Sequence, residues 1–336
     1  MANRAVYRRY FRACAGVLLV LGGAAVLVFG LPSIRKSAPT HLQIKLRTEL
    51  YPGNPGFPKV ASFYPTEKIE HFEISDSDRE HFTLHVAHYN DSLGSNRSAI
   101  FFPPDSANPN PQFLKGRRKP FDLWLQAVDA IKQSTDSNAL FVTWWDNAQR
   151  IDWLTGRNSW QMSPTVEAFS RPDQRELWKR VSGGFTPNGS DLKELARWLT
   201  MNTEQALSEI QARIPKPEIF FLVCMDDLAR LPEIATLTGK ALPFETRLFK
   251  AKGNIHTLIR QVKRWANEKG NGHYMVQQLP IGSIRAWRIT TAEGEKMLLA
   301  RLLPFTSSLA NPINNFDSVY RSGQGGYLSV YRWKPL

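Results

Sequence analysis

A short stretch of the sequence, FVTWWDNAQRIDWLTGRN, concentrates side chains that could bind a ligand. It runs from Phe141 to Asn158 and places an acid, Asp146, directly after a pair of tryptophans. Tryptophan rings stack on sugars or cover peptides, and a carboxylate accepts hydrogen bonds from either or attracts a cation. No set of Ser, His and acid residues indicates a nucleophile. The stretch therefore favours binding over covalent chemistry.

Two apolar runs lead into the acids of this candidate site. ALFVTWW at 139–145 and EIFFLVCM at 218–225 are both typical of buried strands. If the two strands are parallel neighbours, their carboxyl ends share one edge of a sheet, where α/β proteins bind ligands. The predicted ligand-binding residues at this rim are Trp144, Trp145, Asp146, Arg150, Asp226 and Asp227.

A structural role explains the same residues equally well. An acid at a strand end often caps the next helix, and Asp146 is placed to cap one that begins at Asn147. Asp226 or Asp227 could cap a helix over Leu228–Leu231 in the same way. Tryptophans at strand ends usually fill a corner of the core. The sequence leaves both interpretations open.

No metal or cofactor site is predicted. His81, His85 and His88 would share one face of a helix, but their segment has the period of a strand, which separates His88 from the other two. The sequence has no Cys-x-x-Cys-His haem attachment motif, no Walker loop and no Gly-x-Ser-x-Gly. Cys14 and Cys224 are the two cysteines, and no disulfide is expected between them.

The N-terminus predicts a membrane anchor. Residues 13–31 carry no charge, and as a helix they would span about 28 Å, close to the thickness of the hydrocarbon layer. Arginines precede this segment and no acid appears before Glu49, so residues 1–12 are predicted to be a cytoplasmic tail. Residues 32–40 form a linker, and the remainder is predicted to lie outside the cytoplasm. A cleaved signal peptide is the alternative, with a shorter apolar core.

The net charge of +13 divides unevenly along the chain. Residues 1–40 carry +6, which leaves +7 for the outer part. A basic cluster, Lys115, Arg117, Arg118 and Lys119, is either a solvated loop or a contact for an anionic partner or the membrane surface. Nothing in the sequence indicates nucleic-acid binding.

Periodicity predicts a mixed α/β domain with antiparallel β sections at both ends. Residues 41–120 form a β-rich section, in which 91–120 are predicted to be loop. Residues 121–336 alternate between helices and strands, and strands are predicted at 273–279, 284–291, 296–305 and 325–333. Glu293-Gly294 is predicted to be a hairpin turn. Whether 41–120 is a separate domain stays open.

Two families resemble parts of this pattern. Trp144-Trp145-Asp146 at a strand end resembles the WWD signature of oligosaccharyltransferase catalytic subunits, which hold the acceptor sequon there. The likeness covers about 139–230, and Asn147-Ala148 replace the usual Tyr-Gly. That family carries catalytic carboxylates on a multi-span domain, so the resemblance implies a ligand-binding module for a peptide or sugar without glycosyl transfer.

The layout as a whole resembles the HaoB family, which accompanies hydroxylamine oxidation in ammonia- and methane-oxidising bacteria. The basic tail, the single anchor and an outer α/β domain with WWDNAQRIDWLTGR carry this resemblance. It implies a non-catalytic accessory protein that docks or assembles with the multihaem hydroxylamine oxidoreductase or a related periplasmic redox protein. No catalytic residues are carried over from it.

Overall fold

The computed structural model describes residues 42–54, 57, 60–76, 80–101, 120–250, 255–278, 283–323 and 326–335. The predicted tail, anchor and linker and the basic cluster at 115–119 lie outside the described residues. Within the described ranges, no helix combines the length and apolar character needed to cross a membrane. Leu42–Leu336 form one compact unit.

Strands build three separate sheets. In chain order the strands are β1 Leu42–Leu50, β2 Thr66–Asp76, β3 Glu80–Asn90, β4 Asn96–Phe101, β5 Leu140–Val142, β6 Asn158–Ser159, β7 Ile219–Cys224, β8 Phe244–Phe249, β9 Tyr274–Gln278, β10 Ile284–Ile289, β11 Phe316–Arg321 and β12 Leu328–Trp333. The sheets have the orders β1-β2-β3-β4, β8-β10-β9 and β11-β12-β7-β5-β6.

The described residues also form helices of between four and fifteen residues. They are α1 Pro120–Ser134, α2 Trp145–Thr155, α3 Pro172–Val181, α4 Ser190–Thr200, α5 Thr203–Arg213, α6 Leu231–Thr238, α7 Ile255–Ala266, α8 Ala292–Glu295, α9 Leu298–Leu302 and α10 Thr306–Ala310. Short 3-10 helices span Val166–Ala168 and Met225–Arg230. The predicted mixed α/β class is confirmed.

The first sheet corrects one prediction. Its strands are antiparallel throughout, as the alternation over 41–90 predicts. The prediction of loop over all of 91–120 is wrong, because Asn96–Phe101 pair with β3. Asp91 makes the turn between them, since its side chain accepts from the backbone N–H groups of Leu93 and Ser95. This brings Ile100 and Phe101 into the core.

The two apolar runs are neighbouring parallel strands, which is the condition on which the predicted rim depends. Phe141 lies opposite Phe220 and Val142 opposite Phe221. Both β5 and β7 are buried, and they form the centre of a sheet that is antiparallel on its β12 side. The carboxyl ends of β5 and β7 therefore meet at one edge.

The strand and the hairpin turn predicted between 293 and 305 are wrong. Leu298–Leu302 form α9, and Glu293 and Gly294 lie inside the short helix α8. Thr291 begins α8, because its hydroxyl accepts from the backbone N–H of Gly294. An apolar run that is buried on all sides has neither strand nor helix period, so the sequence alone does not distinguish the two.

Helix α2 lies at the centre of the molecule. All eleven of its residues are buried, and it packs against β4 and α1. One cluster of buried residues includes Ile69 of the first sheet, Trp145 of α2 and Trp333 of the mixed sheet. The β-rich section thus shares its core with the α/β part and is not a separate domain.

Candidate functional site

The predicted site lies where β5 and β7 end. Two residues separate Val142 from Trp145, the first residue of α2. Trp144 occupies the position before the helix with an extended backbone, and its side chain makes no capping hydrogen bond. Asp146 is therefore inside the first helical turn, and the prediction that it caps a helix starting at Asn147 is wrong.

The end of β7 is capped, but the N-cap is Cys224 and the 3-10 helix begins at Met225. The prediction that Asp226 or Asp227 caps a helix over Leu228–Leu231 is therefore wrong, because both acids lie inside the first turn. The carboxylate of Asp227 accepts from the backbone N–H of Cys224 at 2.9 Å, and the Cys224 sulfur accepts from the N–H of Asp226 at 3.3 Å. These two bonds form a reciprocal capping box at the start of the 3-10 helix. Asp227 thus has a structural role, although not as the N-cap.

Asp146 pairs with two arginines. Its Oδ2 accepts from Nη2 of Arg150 at 2.9 Å and from Nη2 of Arg230 at 3.1 Å. Arg150 is one helical turn along α2, whereas Arg230 ends the 3-10 helix that follows β7. The Nη1 of Arg230 donates to Oε1 of Glu233 at 2.9 Å. A buried ion chain therefore crosses from one strand end to the other.

Both tryptophans also belong to this chain. The indole N–H groups of Trp144 and Trp145 donate to Oε2 of Glu233, at 3.2 and 3.1 Å. The guanidinium of Arg230 lies 5.3 Å from the ring centre of Trp145 and 4.5 Å from that of Trp178. The polar edge and the face of Trp145 are thus occupied by side chains of the protein itself.

A second branch connects α2 to both sheets. Asn147 donates to Asp227 at 2.7 Å and accepts from Nη1 of Arg150 at 2.6 Å. The Nε of Arg150 donates to the backbone carbonyl of Ile100 in β4 at 2.7 Å. Arg150 thereby joins the acids at the strand ends to the first sheet. We call this set the central network: Trp144, Trp145, Asp146, Asn147, Arg150, Asp227, Arg230 and Glu233.

Burial and charge shift the carboxyl groups of the central network in opposite directions. Burial alone would raise the pKa of Asp146, but Arg230 and Arg150 outweigh it and hold that pKa below its usual value. Burial, and then the charge of Asp146, raise the pKa of Asp227 to about 7. Burial also raises the pKa of Glu233, against the attraction of Arg230. The central network thus holds one carboxyl group whose pKa is lowered and two whose pKa is raised.

The residues of the predicted rim lie mostly in the interior. Five of its six residues are buried, and the exception, Asp226, is half-buried and accepts from the hydroxyl of Tyr327. The structure does bring Trp144, Trp145, Asp146 and Arg150 together. Asp227 is connected to Arg150 through Asn147, which hydrogen-bonds to both. Among the described residues, Oδ1 of Asp146 has no hydrogen-bond partner. Ligand binding by these residues stays a prediction, and it requires the chain to open here.

The sequence missed Arg230 and Glu233, which complete the central network. Their spacing of three residues just after the Asp226-Asp227 pair was an available signal, because i, i+3 charges meet on a helix. The role of Ile100 could not be predicted from the sequence, because Arg150 binds its backbone carbonyl, which every residue type has.

The histidines lie where the strand prediction places them. His85 in β3 faces His71 in β2, and Nδ1 of His71 lies 2.8 Å from Nε2 of His85. His88 lies elsewhere on β3 and contacts Ser98. Among the described side chains, which do not include that of His81, no three His, Cys, Asp or Glu groups are placed to hold a metal ion.

Comparison with solved structures gives two weak likenesses. One is to the C-terminal globular domain of oligosaccharyltransferase from Archaeoglobus fulgidus, at 10% identity and a TM-score of 0.31, covering 63% of this chain and 96% of that one. The other is to the C-terminal domain of PglB from C. jejuni, at 11% identity and a TM-score of 0.34, covering 62% and 99%.

Comparison of whole sequences gives a clearer result. None of the curated proteins matches the chain. A family model described as HaoA-associated protein HaoB matches residues 9–333, which is nearly the full length and includes the central network. The resemblance inferred from the layout of the sequence is thereby confirmed, and the chain belongs to the HaoB family.

Proposed function

We propose that the protein is a non-catalytic accessory to hydroxylamine oxidation that acts by docking onto, or assembling with, HaoA. The observation that carries this proposal is the match of the HaoB family model over residues 9–333, because the description of that family is association with HaoA. The sequence has no covalent haem motif, so the redox chemistry would belong to the partner.

The geometry of the central network favours a docking role over a site for small ligands. Its indoles, guanidinium groups and carboxylates bind one another, and they hold α2 between the two sheets. A buried network of this kind fixes the shape of the domain. We propose that it supports a rigid outer surface, and that recognition of HaoA takes place on that surface.

We further propose that residues 13–31 anchor the protein in the inner membrane, with residues 41–336 in the periplasm. The uncharged length of this segment and the arginines before it support the proposal. An anchor would confine the domain to the membrane surface and so raise its effective concentration near a partner there.

The test is a pull-down of the tagged full-length protein, solubilised with detergent from its native membranes. Haem staining and mass spectrometry of the eluate identify what comes along. We expect HaoA in the eluate, at a level that a tagged unrelated single-span protein does not reach. An eluate without HaoA, from membranes in which HaoA is abundant, contradicts the proposal.

A further inference from the structure

One part of the domain has a small core of its own. Strands β8, β10 and β9 form the three-stranded sheet, and α7 packs on one face of it. The buried residues between them form a cluster distinct from the main core: Phe249, Leu258, Val262, Trp265, Ile284 and Ala286. We call residues 244–289 the basic lobe.

The basic lobe carries all of the excess positive charge that follows residue 40. It contains nine Lys and Arg residues and two acids, a net charge of +7. The rest of the chain after residue 40 contains 28 basic and 28 acidic residues and is neutral. Such a segregation is unexpected for charges that serve only solubility, which are normally interspersed.

Both acidic residues of the basic lobe, Glu245 and Glu268, form ion pairs within the lobe. Glu245 accepts from Arg288, at 2.6 Å, and from Lys269. Glu268 lies 3.3 Å from the same buried Arg288, whose guanidinium also covers the ring of Trp265. These pairs hold the lobe together internally. They leave no acid of the lobe to balance its other cations.

Four of the remaining cations lie on one side of the lobe. Arg260, Lys263 and Arg264 are exposed on α7, at the i, i+3 and i+4 positions of one helical face. Arg247 on the edge strand β8 lies on the same side of the sheet, since it is two residues from Phe249, which packs against α7. None of the four forms an ion pair with a described residue. We call them the basic face.

We propose that the basic face is the surface with which this protein docks onto an acidic patch of HaoA. The inference rests on the proposed function and names the surface that performs it. Three of the four groups are guanidiniums, whose paired N–H donors match the carboxylates of Asp and Glu. An unbalanced positive surface also speeds encounter with a negatively charged partner.

The structure favours a protein over the lipid surface as the occupant. A basic amphipathic helix binds membranes by burying its apolar side among the lipids. In α7 that side, with Leu258, Val262 and Trp265, is already buried in the core of the lobe. Ile255 at the start of α7 and Leu248 on β8 are the exposed large apolar side chains of the described part of the lobe. Two separate side chains do not form the continuous apolar face that such membrane binding requires.

The test compares binding of purified HaoA to two triple variants of the full-length protein in detergent. The first is Arg260→Gln, Lys263→Gln and Arg264→Gln, which removes the charge and keeps good helix formers. The control is Lys132→Gln, Lys179→Gln and Lys193→Gln, three exposed lysines on α1, α3 and α4. Both variants lose three positive charges, so a change in HaoA binding that came from net charge alone would be the same in both.

We expect the α7 variant to bind HaoA about tenfold or more weakly at low ionic strength. The salt dependence of its affinity should also be flatter than that of the wild type, because fewer ion pairs form across the interface. The lysine control should bind as the wild type does. Thermal unfolding of both variants checks that the lobe stays folded.

The failures of the two proposals differ. If the wild type and the α7 variant bind HaoA equally, docking occurs elsewhere and the inference is wrong, while the proposed function stands. If the wild type does not bind HaoA at all, both are wrong. If the wild type binds phosphatidylglycerol vesicles but not HaoA, and the α7 variant loses that binding, the occupant is the membrane and the inference is overturned.

Discussion

At the scale of single residues, Asp146 decides between a structural and a ligand-binding centre. Its carboxylate is the charge partner of two buried arginines, Arg150 and Arg230. Removing one partner of a buried ion pair leaves the other charge poorly compensated, whereas surface pairs contribute little. Replacing an aspartate with asparagine should therefore destabilise the protein much more in a buried ion pair than in a surface ion pair.

We predict that Asp146→Asn lowers the free energy of unfolding by roughly 3 kcal/mol. The matched control is Asp317→Asn, whose partner Arg332 lies 3.1 Å away at an exposed site and whose loss should cost less than about 1 kcal/mol. Denaturant unfolding followed by tryptophan fluorescence measures both. A stable Asp146→Asn protein that loses a sugar or peptide ligand would instead establish the ligand-binding alternative.

The raised pKa of Asp227 predicts how the free energy of unfolding depends on pH. Its pKa is about 7 in the folded protein, against 3.8 as the ordinary value. Between those values the folded state keeps a proton that the unfolded state releases, so stability should fall as pH rises from about 4 to 7. The fall amounts to at most about 4 kcal/mol. Asp146 acts in the opposite sense. Because its pKa is lowered in the folded protein, the stability that its ionised form contributes is lost only as the pH falls below the ordinary pKa of an aspartate.

The variant Asp227→Asn isolates this contribution, because an amide resembles the protonated acid and does not titrate. We expect its stability to change less between pH 4 and 7 than that of the wild type, and the two curves to converge at the acid end. Glu233, whose pKa burial also raises, is present in both proteins and cancels in the difference. Parallel curves would show that Asp227 is ionised throughout the range.

At the scale of elements, the end of α2 depends on a glycine. Gly156 ends this helix with a φ of 67°, and a Cβ there would lie 2.5 Å from ring atoms of Phe63. The backbone N–H groups of Phe63 and Tyr64 bond to the carbonyl of Trp153, so this loop is fixed against the helix end. A side chain at Gly156 must therefore both strain the backbone and displace the loop.

We predict that Gly156→Ala destabilises the protein more than Gly239→Ala. Gly239 ends α6 with nearly the same φ of 66°, and a Cβ there would meet no atom within 4 Å. Alanine in this conformation costs roughly 1 kcal/mol at either position. The excess at Gly156 measures the packing of Phe63 against α2 in thermal or denaturant unfolding. Equal losses would mean that Phe63 moves aside freely.

The sequence predicted elements where one periodic signal dominates. β5 and β7 are short apolar runs rich in Phe, Val and Leu, which predicts buried strands, whereas their parallel pairing was only a condition that the structure meets. β4 was missed because its apolar residues follow a turn-rich segment, and α9 was taken for a strand because its apolar run has no period. In both cases contacts with distant elements decide the structure.

The candidate site was predictable only in part for the same reason. Trp144, Trp145 and Asp146 were found because they follow a strand, but Arg230 lies 84 residues from Asp146 in sequence. Nothing local indicates that these two side chains meet. Nothing in the sequence indicates that these charged side chains are buried, because charged residues are normally exposed. Here Asp146 and Glu233 pair with the two arginines inside the central network, which makes their burial tolerable.

At the scale of the whole molecule, the anchor and the outer domain make separable predictions. The described residues form one compact unit from Leu42 to Leu336, with the main core inside it. A chain lacking residues 1–40 should keep the midpoint of thermal unfolding of the full-length protein, because the buried residues of the main core lie between Ile69 and Trp333. Circular dichroism of both purified proteins measures this, and a lowered midpoint would assign residues 1–40 a part in folding.

The same truncated chain tests how the protein is held at the membrane. We predict that the full-length protein stays with the membrane fraction in high salt and in alkaline carbonate, since a transmembrane helix resists both, while the truncated chain does not. Attachment through the basic face would behave differently, because salt screens it. Truncated protein that sediments with membranes at low salt and is released at high salt would show that charge, rather than residues 13–31, retains it there.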